Sequence, residues 1–252
     1  MKRLIAAAWM FVAAIVGSAP AEAGRIVVAN DEWTLSDTGF ASAADTDTFV
    51  LNVASWFTGG GAGTFHAYST NFGLTGGSLA ATMGGGGHAW TTGTGITWDL
   101  PTLLNYDAIF LAGNSMPDAT VLVNYVNAGG NVYVAAGTGG CCFASAAAEA
   151  AHWNTLLNTF GLGFTSPYNG IAGNIATAST HPIFSGVSAL YQNNGNSILD
   201  LNPGDPRNQV LVSAFGQGQY AVYDPVPEPG TMLLLGTGIA ALGARRRLGR
   251  RG

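Results

Sequence analysis

The sequence predicts an α/β fold with a mostly parallel sheet and a β-rich C-terminal part, on three observations. Two apolar runs that end toward glycine, Tyr106–Gly113 and Asn131–Ala136, read as central strands. A segment with helical spacing follows each. Pro117 and Asp118 open a helix through Leu122, Tyr125 and Val126, closed by Gly129 and Gly130; a second, from about Ala144 to Phe160, places Trp153, Leu156, Leu157 and Phe160 on one face before Gly161. Strand, helix, strand, helix is the order of parallel pairing, because a parallel partner is reached only by a crossover. From Gly163 the pieces shorten: His181–Val187, then Gln209–Phe215 and Gln219–Tyr223, the last two read as a hairpin across Gly216–Gly218.

The remaining elements follow in chain order. Arg25–Ala29 is a β-branched run and reads as a first buried strand, ending in Asn30-Asp31-Glu32-Trp33. Asp45 and Asp47 are N-cap candidates for a helix that aligns Phe49, Val50, Val53, Trp56 and Phe57 and stops at Gly59. Thr64–Ser69 reads as a strand and Ser78–Met83 as a short helix. The clusters Gly59–Gly63 and Gly84–Gly87 read as flexible loops.

Both ends carry signals for export. Lys2 and Arg3 precede an apolar stretch from Leu4 to Val16, and Ala21-Glu22-Ala23 has the small-x-small pattern that signal peptidase accepts, so residues 1–23 form a secretory signal and the mature chain starts at Gly24. At the other end stand Pro227-Glu228-Pro229, an apolar run from Met232 to Ala244, and Arg245, Arg246, Arg247, Arg250 and Arg251. Prolines hold the chain extended and open to a processing enzyme. The arginines stay on the cytoplasmic side as a membrane stop. The apolar run spans roughly 20 Å against a hydrocarbon core of roughly 30 Å, a short transmembrane helix. This order resembles the PEP-CTERM sorting signal over residues 225–252. The resemblance implies a Gram-negative source and recognition by an exosortase. It further implies a transient membrane anchor, removal of the tail, and a place in the cell envelope or extracellular matrix, with exopolysaccharide or other surface proteins as partners.

Between the two signals lies Gly24–Asp224, long enough for one domain with a real core. Of the chain's 14 acidic residues only Glu22 and Glu228 lie outside it, and of the 9 Lys and Arg only Arg25 and Arg207 lie inside, so the exported part carries a net charge of −10. Such a surface repels phosphate backbones, and nucleic acid is excluded as a partner. Trp33, Trp56, Trp90, Trp98 and Trp153 speak for a folded core against disorder. The 2 cysteines, Cys141 and Cys142, are adjacent; a vicinal disulfide, a bond to another chain and free thiols all stay open.

A second resemblance rests on Tyr106–Leu111, on Asn124–Val134, on the Gly137-Thr138-Gly139 turn and on His181-Pro182-Ile183-Phe184-Ser185-Gly186-Val187. These are similar to the class I glutamine amidotransferase-like fold, which implies a three-layer sandwich; a flavodoxin-like layering is the other arrangement. In an open parallel sheet ligands collect at the carboxyl ends of strands, which nominates Asp31, Glu32, Asn114, Gly137, Thr138 and Gly139 as a ligand cleft. Cys141 or Cys142, lying between a strand and a helix, would be a nucleophile with His152, His181 or His88 as its base. The turn does not read Gly-x-Cys-x-Gly, however, and no Glu follows Glu149 before the tail, so the family's triad is not present. Glu149 and His152 one turn apart lack a third metal ligand and read as capping or surface groups. Asp31 with Glu32, and Asp45 with Asp47, read as solvated acidic loops; no metal and no cofactor is expected. A noncatalytic binding or structural role is the leading reading, with a secreted hydrolase using a cysteine near the cleft as the alternative.

Overall fold

The structure, a computed structural model, describes residues 23–225. All but the last residue of the expected signal segment 1–23, the Pro-Glu-Pro motif, the apolar run and the arginine cluster lie outside the described residues. Among the described residues no helix is long and apolar enough to cross a membrane.

The described residues form eleven strands and seven α-helices, all the α-helices lying before β6. The first half runs β1 (Ile26–Ala29), α1 (Asp37–Ser42), α2 (Thr46–Thr58), β2 (Thr64–Tyr68), α3 (Phe72–Thr75), α4 (Gly77–Gly85), β3 (Ala89–Thr92), α5 (Leu100–Leu103), β4 (Ala108–Leu111), α6 (Ala119–Asn127) and β5 (Asn131–Ala135). Helix α7 (Ala146–Leu157) then leads into β6 (Leu162–Tyr168), β7 (Ala172–Ala176), β8 (Ala189–Asn193), β9 (Asn196–Asp200), β10 (Asn208–Ala214) and β11 (Gln217–Tyr223). The main sheet has the order β3-β2-β4-β5-β1-β11-β9-β6, with β10 also paired to β11. Strands β3, β2, β4, β5 and β1 are parallel, whereas β11, β9, β10 and β6 join antiparallel. Strands β7 and β8 form a separate antiparallel ribbon.

Strands buried on both faces need apolar residues at every position, which is why β1, β4 and β5 read as continuous runs. Alternate residues serve opposite cores. Val27 and Ala29 pack with Phe49, Val50, Val53 and Phe57 of α2 and with Leu79 and Met83 of α4. Ile26 and Val28 pack with Leu122, Tyr125 and Val126 of α6 and with Trp153, Leu156 and Leu157 of α7. Helices therefore cover both sides of the sheet.

Local chemistry sets the helix starts. Asp118 accepts from the Thr120 amide at α6, and Ser145 accepts from the Ala148 amide at α7. Asp45 stands at the N-cap of α2 without a side-chain bond to the helix; its carboxylate instead takes the Ser188 amide at 2.8 Å, so tertiary contact displaces the local cap.

Several expectations need correction. The short piece His181–Val187 forms a 3-10 turn at Pro182–Phe184, where Pro182 lacks the backbone donor that a strand ladder needs. Gly84 and Gly85 close α4 rather than lying in a loop. The hairpin turns at Phe215 and Gly216, and β11 starts at Gln217; both turn residues take the left-handed conformation, which positions the reversal ahead of Gly218.

Candidate functional site

The parallel strands end together at one pole of the sheet, here the carboxyl pole. Just past β1, Asp31 caps the 3-10 turn Glu32–Leu35, accepting from the Trp33 amide at 3.0 Å and from the Asn193 amide of β8. The turn swings Glu32 inward against α3. A Cβ on Gly73 would come within 2.8 Å of the Glu32 Cβ and 2.9 Å of its Oε2, so only glycine lets helix α3 pack on this carboxyl. From the first turn of α7, Glu149 accepts from the Thr138 hydroxyl at 2.8 Å and from the Tyr168 hydroxyl at 3.0 Å; the same Tyr168 oxygen accepts from the Gly139 amide at 2.9 Å.

Asp31, Glu32 and Glu149 are all buried, none more than 1 % exposed. That corrects the expectation of solvated acidic loops at Asp31 and Glu32 and of a surface group at Glu149. Sequence spacing misses it because the burial comes from chain segments far apart: α3, β6, β8 and the Gly137–Cys142 loop. Asp45 and Asp47 do lie toward solvent.

Burial sets the protonation of the trio. It pushes Asp31 up to about 7 against the opposing Trp33 and Asn193 amides. Burial and then the charges of Asp31 and Glu149 push Glu32 up to about 9. Glu149 is raised by burial and pulled back by its Thr138 and Tyr168 bonds. The difference is one of partners: Glu149 and Asp31 are hydrogen-bonded, whereas neither Glu32 oxygen has a partner among the described residues. Both amide atoms of Asn30 and the hydroxyl of Tyr133 share that condition.

Cys141 and Cys142 are joined in a vicinal disulfide, one of the three states adjacency leaves open, and neither sulfur is a thiolate in that state. The Asn71 amide nitrogen lies 3.4 and 3.2 Å from the two sulfurs, tying the loop after β2 to the loop after β5. Gly137, Thr138 and Gly139 belong with the acids: Gly137, at φ 76°, sits where a Cβ would be 2.9 Å from an Asp31 oxygen. Asn114 does not touch the trio. Its side-chain oxygen accepts from the Thr70 amide at 2.7 Å and braces the loop that carries Asn71.

The histidines are dispersed. His152 accepts from the Met116 amide at 3.0 Å, and His88 accepts from the Gly63 amide at 3.1 Å. His181 packs edge-on against Trp56 at the opposite, amino pole, beside Arg25, so it is not a base for either cysteine. Tyr168, Asn71 and Gly73 were not legible as site residues, since a lone Tyr, Asn or Gly in a polar stretch carries no spacing signal. Among the described residues no group of three His, Cys, Asp or Glu is arranged to hold a metal ion.

The amino pole is built from both chain ends. Ile26 of β1 pairs with Tyr223 of β11, and the Arg25 guanidinium meets Asp224 at 3.2 Å. Arg25 also lies over the Trp56 ring, at the edge of a groove of about 370 Å³ lined by Asn52, Ser55 and Pro182.

Neither the curated proteins nor the solved structures contain a significant match to the chain. Residues 225–247 match the family model described as the PEP-CTERM protein-sorting motif, so the chain carries, directly after its folded region, the sorting signal of an exosortase substrate, which implies export to the envelope or the extracellular space.

Proposed function

We propose that the exported α/β domain has a noncatalytic binding role at the cell surface or in the matrix, exerted through its carboxyl pole. The observation that carries this reading is the pairing of Ile26 with Tyr223 and of Arg25 with Asp224. The first and last strands of the described residues therefore meet at the amino pole, next to residue 225, where the sorting motif begins. At about 3.3 Å per residue, the four residues of β1 separate the two poles by roughly 13 Å. While the tail holds the chain at a membrane, the amino pole faces the lipid and the acids, Asn71 and the disulfide face away from it. The short tail acts as a removable handle for exosortase, and the domain is released or retained in the matrix with the carboxyl pole free. Helices on both faces of the sheet support the layered, amidotransferase-like reading of the domain.

The reading is tested on processed protein recovered from cells with a working exosortase. Retention on the cells' own surface polymer is expected, and it should persist when Cys141 and Cys142 are both replaced by Ser. An amide, ester or glycan hydrolysis that disappears in the double variant while the fold remains intact would establish the cysteine hydrolase instead.

A further inference from the structure

We propose that the carboxyl pole is a binding site for an organic ammonium group, with Glu32 as its anionic partner and the Trp33–Phe72 ring pair as its wall. This rests on the binding reading above and names the ligand chemistry of the same pole.

Three carboxyl groups meet here without a cation. The described residues hold two basic side chains of the Lys and Arg type, Arg25 and Arg207, and both belong to the amino pole: Arg25 meets Asp224, and the Asp224 amide donates to the Arg207 carbonyl at 2.8 Å. A buried carboxyl without countercharge or hydrogen bond is costly and is retained where something supplies the missing partner. Glu32 is such a group, 1 % exposed with both oxygens unpartnered. The Asn30 amide and the Tyr133 hydroxyl add further unpartnered polar atoms at the end of the same strand and in the adjacent one.

The second, independent feature is aromatic. Trp33 follows Glu32 directly, and its ring meets Phe72 edge-to-face at 4.8 Å. Phe72 is 44 % exposed, and it lies between Asn71 and Gly73, the residue that packs on Glu32. Aromatic faces next to carboxylates are the chemistry that recognises alkylammonium groups and the apolar faces of sugars. A divalent metal is a poorer match, because the three acids are not arranged to share one ion.

Binding carries a proton signature. Burial pushes Glu32 up to about 9 and Asp31 up to about 7, and the other titratable groups facing them are Glu149 of α7, Tyr168 of β6, Tyr133 of β5 and Tyr220 of β11. An arriving ammonium stabilises the Glu32 carboxylate. The O–H proton passes to solvent and the electron pair stays on the carboxylate, so ligand binding releases protons.

The test is calorimetric titration of the processed protein with glucosamine and, separately, with spermidine, in two buffers of different protonation enthalpy at about pH 6.5. N-acetylglucosamine is the uncharged control. Binding of either amine with net proton release, and at least about tenfold weaker binding of the control, is expected. Glu32→Gln should weaken the amine about tenfold or more and reduce the proton release, and Phe72→Ala, a change at an exposed ring, should weaken it several-fold without altering the fold. No heat from either amine, equal binding of the acetylated sugar, or unchanged affinity in both variants overturns the proposal. Retention on surface polymer together with any of these results would leave the binding reading standing and remove the ammonium site alone.

Discussion

The buried Glu32 carboxyl makes a quantitative demand on stability. In the folded chain it titrates at about 9, against an ordinary value of 4.5. The folded state therefore keeps a proton that the unfolded state gives up, and stability is greatest below the unfolded value and falls as pH rises toward the folded one. Each pH unit in that window costs about 1.4 kcal/mol, so the step from about pH 5 to about pH 8 costs roughly 4 kcal/mol for this group. Water that reaches the carboxylate reduces the figure, which leaves about 2 kcal/mol as the smaller expectation. Glu32→Gln keeps the size and removes the titration. Urea unfolding of wild type and variant, followed by tryptophan fluorescence at intervals across this range, should give a stability gap that widens with pH in favour of the variant by about 2–4 kcal/mol. A gap independent of pH, or a wild type that grows more stable from about pH 5 to about pH 8, would refute the argument that the carboxyl is held neutral by burial.

Two further outcomes are expected. Trp153 of α7 is fully buried in the core on the α6–α7 side of the sheet, and Trp153→Ala should cost about 3–5 kcal/mol in the same unfolding assay, with loss of helical circular dichroism at lower urea. The disulfide closes a ring between neighbours of sequence separation 1, so it restricts the unfolded chain little; thiol titration should find no reactive thiol before reduction and two after it, and reduction should shift the unfolding midpoint by no more than a few degrees.

The legibility of this chain differs element by element. Helices α2, α6 and α7 could be placed within a few residues because an amphipathic face and a closing glycine are both local. Strands β4 and β5 were visible because burial on both faces forces an unbroken apolar run. Strand β3, Ala89–Thr92, shows no such run, since it lies at the sheet edge and stays largely exposed. Strands β6 to β9 mix polar and apolar residues, and their pairing depends on partners distant in the chain.

The site divides in the same way. Position at the end of a parallel strand already nominated Asp31, Glu32 and Gly137–Gly139, because the topology of such a sheet gathers those ends. Whether an acid there is solvated or buried depends on what folds over it. Gly73 of α3, Tyr168 of β6 and the Asn193 amide of β8 decide that, and none of them is near Asp31 or Glu32 in the chain.

By itself the sequence determined the sorting motif, the sparse positive charge and the α/β order, since each is written in contiguous residues: a proline motif with an apolar run and arginines, and the alternation of strand and helix periods. Tertiary structure alone decided that the three acids are buried together, that the two cysteines bond to each other and that both ends of the described region, Arg25 and Asp224, share one pole. Those depend on distances between segments remote in the chain, or on a bonding state that adjacency leaves open, and neither is encoded in local periodicity.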